Sequence, residues 1–281
     1  MTAPELVIVG HFARDTVAGG WRPGGAVTYA GLAAHKLGIH VGVVTACADE
    51  EQLNGVFPGI PVQRVASSRT TIMQNEYGES GQRRQVVPAV GSPLACEDIP
   101  AAWRGALVLL APIIGELPAA SGSCITGDIA VGLQGFLRDR REDGTIAPRE
   151  FDLSAIPPAN LVFLSEDDLA ADDRDRALAE LSNVTPVVVV TRGPKGALVI
   201  QGSVTREIDA FPAAALDPTG AGDVFAAGFL AALLRDRDIA EAARWGAAAA
   251  SFAVEGAGVS ALPDREALER RLADHPGIEL S

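Results

Sequence analysis

The segment Asp217-Pro218-Thr219-Gly220-Ala221-Gly222-Asp223 places two glycines, a hydroxyl and two carboxylates directly before the apolar run Val224 to Leu230. Glycines permit positive φ and close backbone approach. Consecutive amides can then point at one oxyanion, helped by the roughly half-unit positive charge of a helix N-terminus. A carboxylate inside such an anion hole competes with phosphate unless it faces the other reactant. There it can accept the proton of an attacking hydroxyl, general-base help worth about 10²–10⁴-fold. The spacing therefore points to Asp223 as base and to the amides of Gly220, Ala221 and Gly222 as the cradle for developing negative charge. The competing reading is an ordinary helix start capped by Asp217 or Thr219. The helix that follows is apolar on nearly every face and must be buried, so its N-terminus opens on an interior cleft, which favours the chemical reading. No GxxxxGK[ST] run is present, and Gly10 is followed by His11-Phe12-Ala13-Arg14-Asp15 rather than by a GxGxxG turn. P-loop and dinucleotide chemistry are disfavoured accordingly.

The elements that must position this segment alternate. Short apolar runs fall at Leu6 to Val9, Val41 to Thr45, Ala106 to Ala111, Cys124 to Ile129, Leu161 to Leu164, Val187 to Thr191 and Ala197 to Ile200. Several are rich in β-branched residues, as expected of strands buried on both faces. Helical patterns run over Val27 to Leu37, Asp175 to Leu181, Val224 to Leu234, Ile239 to Val254 and Asp264 to Leu272. The alternation predicts an α/β fold, a mostly parallel central sheet flanked by helices on both faces. Two stretches break it, residues 11–23 and 69–90. In the second, Thr70 to Met73 and Gln85 to Val87 flank the turn-rich Tyr77-Gly78-Glu79-Ser80-Gly81 and read as a hairpin. Together they suggest a small β lid inserted into a single domain spanning residues 1–281.

Composition narrows the partners. The 281 residues are 48% hydrophobic and 21% charged, with a formal net charge of −13, so a general role on nucleic acid or an anionic membrane meets long-range repulsion. A nucleotide can still bind, because local amides and cations dominate within a Debye length of about 10 Å. No run of about 18 apolar residues occurs. The N-terminal residues lack the basic and apolar regions of a signal peptide. Cys47, Cys96 and Cys124 form no CxxC pair and no zinc pattern, and read as free buried thiols of a cytoplasmic protein.

At this point the sequence resembles the PfkB family of carbohydrate kinases, the ribokinase-like fold, over nearly its whole length. One signature, an Asp followed by Thr-Gly-Ala-Gly-Asp and an apolar helix, is matched by Asp217 and by Thr219 through Asp223. A second, a Gly-Gly pair opening a small-residue helix that ends in Leu-Gly, is matched by Gly24-Gly25 through Leu37-Gly38. The resemblance implies in-line transfer of the ATP γ-phosphoryl group to a hydroxyl. Asp223 would be the base, Asp15 the carboxylate that binds acceptor hydroxyls, and Gly24 and Gly25 the backbone that closes on the acceptor. Thr191-Arg192-Gly193-Pro194-Lys195-Gly196 is similar to the family's Thr-x-Gly-x-x-Gly nucleotide loop. That assigns Thr191, Arg192, Gly193 and Gly196 to the nucleotide, with Thr219 and Gly256; on its own residues the loop is equally a plain hairpin turn. The small residues of Ala247 to Ala250 leave room for adenine and equally suit tight helix packing.

Tyr29 stands where sugar-kinase members often carry Asn. Ser165 and Asp168 stand at the Asn and Glu positions of a segment associated with magnesium and phosphate, and the same stretch reads as a helix cap. Asp168 and Asp217 are thus candidate cation residues, for Mg²⁺ and, near Gly256 and Ser260, for a monovalent cation. The Gln-Gly-Phe-x-Arg pattern from Gln134 to Arg138 looks like the myo-inositol kinase branch, which favours a cyclic polyol acceptor bound by Tyr29, Gln134 and Arg138. A ribose or nucleoside acceptor is the alternative, and a non-catalytic sugar-binding regulator on the same fold is the rival from another class. Lids in this family often pair across a homodimer.

Overall fold

The computed structural model describes residues 3–77 and 83–281. In chain order the strands are β1 (Leu6–Val9), β2 (Ala13–Val17), β3 (Gly20–Gly24), β4 (Val41–Cys47), β5 (Val62–Ala66), β6 (Thr71–Tyr77), β7 (Arg83–Ala89) and β8 (Leu107–Leu110). They continue as β9 (Ile129–Gly132), β10 (Arg138–Arg140), β11 (Ile146–Pro148), β12 (Leu161–Ser165), β13 (Val187–Thr191), β14 (Ala197–Gln201) and β15 (Val204–Ile208). The helices are α1 (Ala26–Lys36), α2 (Leu53–Val56), α3 (Arg174–Val184), α4 (Ala221–Leu233), α5 (Ile239–Ala253) and α6 (Arg265–Asp274).

A nine-stranded sheet runs in the order β15-β14-β13-β12-β9-β8-β1-β4-β5. Its neighbours are parallel from β13 through β5, while β14 is antiparallel to both of its neighbours. Strand residues alternate between two cores, as the two-residue period requires. Leu6, Ile8, Val41, Val43, Phe163 and Val189 face α1, α4, α5 and α6, whereas Val7, Val9, Val44, Val162, Val188 and Val190 face α3 and the loops. Burial on both faces explains why these strands read as unbroken apolar runs. α4 and α5 approach closely because a Cβ on Gly228 would lie 2.8 Å from that of Ala249, and one on Gly246 would lie 2.9 Å from the Phe225 ring. Ala248 and Ala249 are fully buried in this contact, so tight packing accounts for the small residues there.

A four-stranded sheet, β3-β2-β6-β7, stands beside the large one. It is antiparallel except where β2 pairs with β6. Both exceptional stretches of the sequence lie in it, and the predicted turn at 78–81 falls outside the described residues. A buried network fastens its roots. The His11 ring hydrogen-bonds the Thr71 hydroxyl at 2.7 Å, Gly91 N–H donates to the same hydroxyl, and Glu116 accepts the amides of His11, Ile113 and Ile114. The β10–β11 hairpin is tied to β7 through Val87 N–H to Gly144 O and Arg140 Nε to Val87 O, both 2.7 Å.

Two expectations need correction. The run Cys124 to Ile129 is not a strand until Ile129, because Thr126 and Gly127 both donate to Arg104 O and a Cβ on Gly127 would sit 2.2 Å from Ala106 O. Nor are all the cysteines free. The short turns Cys96–Asp98 and Ala119–Gly122 pack together and bring the Cα atoms of Cys96 and Cys124 to 5.8 Å, and the two are joined by a disulfide; Cys47 is free and buried. Disulfides are rare in reducing compartments, so the cysteines carry no argument for the cytoplasm. No helix among the described residues is long and apolar enough to cross a membrane. Ellman's reagent should find no reactive thiol in the native, unreduced protein and one per chain, Cys47, after denaturation without reductant; three would overturn the disulfide.

Candidate active site

Parallel strands in an open sheet deliver their following loops to one edge, and the crevice forms where strand order reverses. Here β4 and β5 lie to one side of β1, and β8, β9, β12 and β13 to the other. The loops after β12 and β13 are adjacent because Ser165 pairs in register with Thr191.

α4 begins at Gly220, whose φ of 79° is left-handed. The same glycine is required on steric grounds, since a Cβ would lie 2.3 Å from the Tyr29 ring. The first i→i−4 bond of the helix runs from Val224 N–H to Gly220 O. The amides of Gly220 and Gly222 therefore lie outside the helical ladder, as first-turn amides must. Ala221 departs from the expected cradle, because its N–H turns back to Pro218 O at 3.2 Å. The loop before the helix is held from behind: Leu216 and Asp217 N–H both donate to Val254 O at the end of α5, and Asp217 Oδ1 accepts Thr219 N–H at 3.0 Å. Gly222 is exposed, and a Cβ there would meet nothing within 4 Å, so packing does not dictate its glycine.

Asp223 lies in the first turn of α4, half-buried. Burial pushes its carboxyl up to about 7; Arg138 opposes the rise, and the charges of Asp168 and Asp15 add to it. These four groups thus share one electrostatic site. Asp168 is also raised, first by burial, although Ser165 N–H donates to its Oδ2 at 2.8 Å and Gln134 Nε2 reaches its Oδ1 at 3.4 Å. Ser165 and Asp168 form a capping box on the turn after β12, so the cap and the cluster are one arrangement.

On the opposite wall Asp15 sits in β2, where Tyr29 Oη donates to its Oδ2 at 3.2 Å. Gly24 is needed for that approach, since a Cβ would lie 2.2 Å from the Asp15 carboxylate. Gly25 caps α1 with φ 84°. Tyr29 is buried; burial first, and then Asp15, raise its pKa and keep the phenol protonated as a donor. Its ring against Gly220 and its hydroxyl on Asp15 make it one contact between the two walls. The sequence marks Tyr29 as a departure and as a candidate acceptor contact, but not its packing on Gly220.

The structure also brings in Arg22, which sequence reasoning missed. Its Nη2 lies 2.6 Å from Asp217 Oδ2. Partial burial would raise the Asp217 pKa, but the Thr219 hydrogen bonds and Arg22 outweigh it and hold the carboxyl below its ordinary value. With one oxygen on a guanidinium and the other on an amide, Asp217 does not fit a monovalent cation. Mg²⁺ usually takes one or two carboxylates plus phosphates, and Asp168, whose charge acts on Asp223 and so lies near it, is a donor of that type.

In the loop expected to meet the nucleotide, Thr191 Oγ1 donates to Leu164 O at 3.3 Å, and Gly193 and Gly196 both have positive φ in the turn between β13 and β14. Arg192 is committed elsewhere, to Glu207 at 2.9 Å and Lys195 O at 3.2 Å, rather than projecting toward a phosphate. Gly196 packs on Ile208 O, and Gly256 on Ser260 and Ala261, so these two glycines serve close packing.

A family model described as pfkB family carbohydrate kinase matches residues 143–265. A cytidine kinase of Thermococcus kodakarensis is 31% identical over 268 residues, covering 86% of this chain and 93% of that protein. A nucleoside kinase of Methanothermobacter thermautotrophicus is 42% identical over 94 residues, 33% of this chain and 30% of that protein. Among solved structures, a pyrophosphate-dependent kinase in the ribokinase family complexed with a pyrophosphate analog and myo-inositol superposes with a TM-score of 0.80 at 21% identity, covering 94% of this chain and 99% of that one. A ribokinase from Thermotoga maritima superposes with a TM-score of 0.78 at 21% identity, covering 96% and 99%. These likenesses show the ribokinase-like α/β fold.

Two measurements test the geometry. Gly220→Ala should cost about 2 kcal/mol or more through φ and the Tyr29 overlap, whereas Gly222→Ala should stay within about 0.5 kcal/mol of wild type by thermal melt. Asp223 carries a pKa of about 7 when folded. Against roughly 3.9 unfolded, it is protonated in both states below about pH 4, and its destabilisation grows from there to about pH 7. Asp223→Asn should therefore melt higher than wild type at pH 8, by about 2–4 °C per kcal/mol relieved, with the gap closing near pH 4. An equal or lower melting temperature at pH 8 would contradict the buried carboxyl.

Proposed function

Because the chain belongs to the PfkB family of carbohydrate kinases, phosphotransferases with an alcohol acceptor, we propose that it moves the γ-phosphoryl group of ATP onto a hydroxyl of a nucleoside or polyol, with Asp223 as the base. The observation that carries this reading is the half-buried Asp223, its pKa raised to about 7, in the same helical turn as the unladdered Gly222 amide. A carboxylate poised near neutrality accepts a proton more readily than one at its ordinary value. The Gly220 and Gly222 amides and the α4 N-terminus offset charge that develops on the phosphoryl oxygens. Asp15, fixed by Tyr29, orients the acceptor so that its hydroxyl lies on the Asp223 side. Thr191, Gly193 and Thr219 line the donor side. When bound, Mg²⁺ would neutralise phosphate charge, held by Asp168 and the phosphates themselves. The small sheet that carries Asp15 acts as a lid which excludes water as a competing acceptor. Asp217, engaged by Arg22, is assigned to holding the loop rather than a cation.

Two acceptor readings each have support. The near-full-length cytidine kinase relative favours a nucleoside, and we place that first because its identity exceeds that of the structural neighbours. Gln134 beside Asp168, and Arg138 within the field of Asp223, favour a cyclic polyol such as myo-inositol.

ATP and pyrophosphate should be offered as donors with nucleosides, ribose and myo-inositol as acceptors. Transfer to cytidine but not to myo-inositol supports the first reading, and the reverse pattern the second. Asp223→Asn should lower kcat by about 10²–10⁴-fold. In the wild type kcat/KM should fall on the acid side of about pH 7, where Asp223 takes up a proton. Undiminished turnover in Asp223→Asn would remove the base, and no turnover with any pair would favour a non-catalytic binder.

A further inference from the structure

The ion pair between Arg22 and Asp217 joins residues 195 positions apart in the chain. Arg22 is the register partner of Asp15 across β2 and β3. Directly opposed residues project from the same face of a sheet, so Arg22 and the acceptor carboxylate share the face turned toward the site. From there the guanidinium crosses to the far wall. Nη2 lies 2.6 Å from Asp217 Oδ2, and the arm passes within 3.3 Å of where a Cβ on Gly258 would stand. The side chains are 25% and 21% exposed, so the pair is less solvent-screened than exposed helix pairs such as Arg265–Glu269. Its two ends also differ in stiffness. Asp217 is fixed by Thr219 N–H on one oxygen and by its own N–H to Val254 O, whereas Arg22 extends from β3, the edge strand of the small sheet. The buried Nε of Arg22 has no hydrogen-bond partner among the described residues, so the arm is spent on reaching Asp217 rather than on securing its own sheet.

We propose that Arg22 is a positioning residue: it latches the β2–β3 hairpin, and with it Asp15, onto the loop that leads into the anion hole. The inference rests on the kinase reading for its consequence and on geometry alone for the latch. Asp15 belongs to the small sheet and Asp223 to the large core, and transfer needs both on one acceptor. A charge pair between their supports sets that alignment when the hairpin is down and releases it when the pair opens. Neither atom of the pair touches the reacting groups, so its loss weakens acceptor alignment rather than donor binding.

Hydrogen exchange on the substrate-free chain reads the latch directly. Arg22→Gln and Asp217→Asn approach the pair from opposite ends, and Asn retains the oxygen that caps Thr219. Each should speed exchange in residues 13–24 by about threefold or more, while α5 and β12 stay protected. The double variant should be no worse than the worse single one, since both remove the same interaction. In turnover, acceptor KM should rise about tenfold with ATP KM within about twofold, and acceptor-independent ATP hydrolysis should grow relative to transfer. Unchanged exchange in both single variants, or additive effects in the double variant, would overturn the latch. If the wild type phosphorylates nothing, the kinase reading fails while the exchange comparison still decides the latch.

Discussion

The burial of α4 is the constraint on which the site depends. From Val224 to Ala232 every residue of this helix is buried, so it has no solvent-facing side and can only be sandwiched between the large sheet, α1 and α5. A helix enclosed along its length still leaves first-turn amides without intrahelical acceptors. Those amides must open on a cleft, and their partial positive charge is felt most strongly where water is scarce. Glycine at positions 228 and 246 lets α5 press against α4, and the end of α5 supplies the carbonyl of Val254 that holds the loop before Gly220. The cluster of free first-turn amides is thus a product of the core, built by the same packing that buries α4.

Scarcity of water also sets the electrostatics. The charges of Asp15 and Asp168 act on Asp223 in a chain whose net charge is already −13, and Arg138 counters them there. Burial and like charge together keep the Asp223 carboxyl near neutrality. Asp217, only a few residues away, is driven the other way because it has a guanidinium and Thr219 to itself. Two carboxylates within one signature are thereby driven in opposite directions, which is what the proposed division into a structural Asp217 and a catalytic Asp223 requires.

Much of this was legible in the sequence because it follows from period and composition. The apolar runs placed six of the nine strands of the large sheet, missing the edge strands β5 and β15 and misplacing β9, and the apolar run after Gly222 placed the buried helix α4. What escaped depends on contacts between distant segments. Cys96 and Cys124 meet only because two short turns pack together. Cys124 to Ile129 looks like a strand, yet the backbone of Arg104 captures its amides first. Arg22 lies in a polar hairpin with no periodic signal, and its partner is 195 residues away. Arg192 has the residue type for phosphate, but Glu207 on the neighbouring hairpin strand claims it. Tyr29 was visible as a misfit to the pattern, and only the coordinates reveal why Gly220 must be glycine beside it.

The contact between Gly228 in α4 and Ala249 in α5 has a consequence for how such a protein can change over time. Those helices interlock so closely that the donor wall inherits their register, and a single added methylene would disturb it. The acceptor wall hangs from a four-stranded sheet rooted at His11, Thr71 and Glu116, apart from the interlocked α4–α5 pair. One half of the site is therefore rigid and conservative by construction, and the other is free to drift. Descendants of such a scaffold can diversify in the molecules they accept while keeping a single phosphoryl-transfer chemistry, because the two are carried by parts of unequal stiffness.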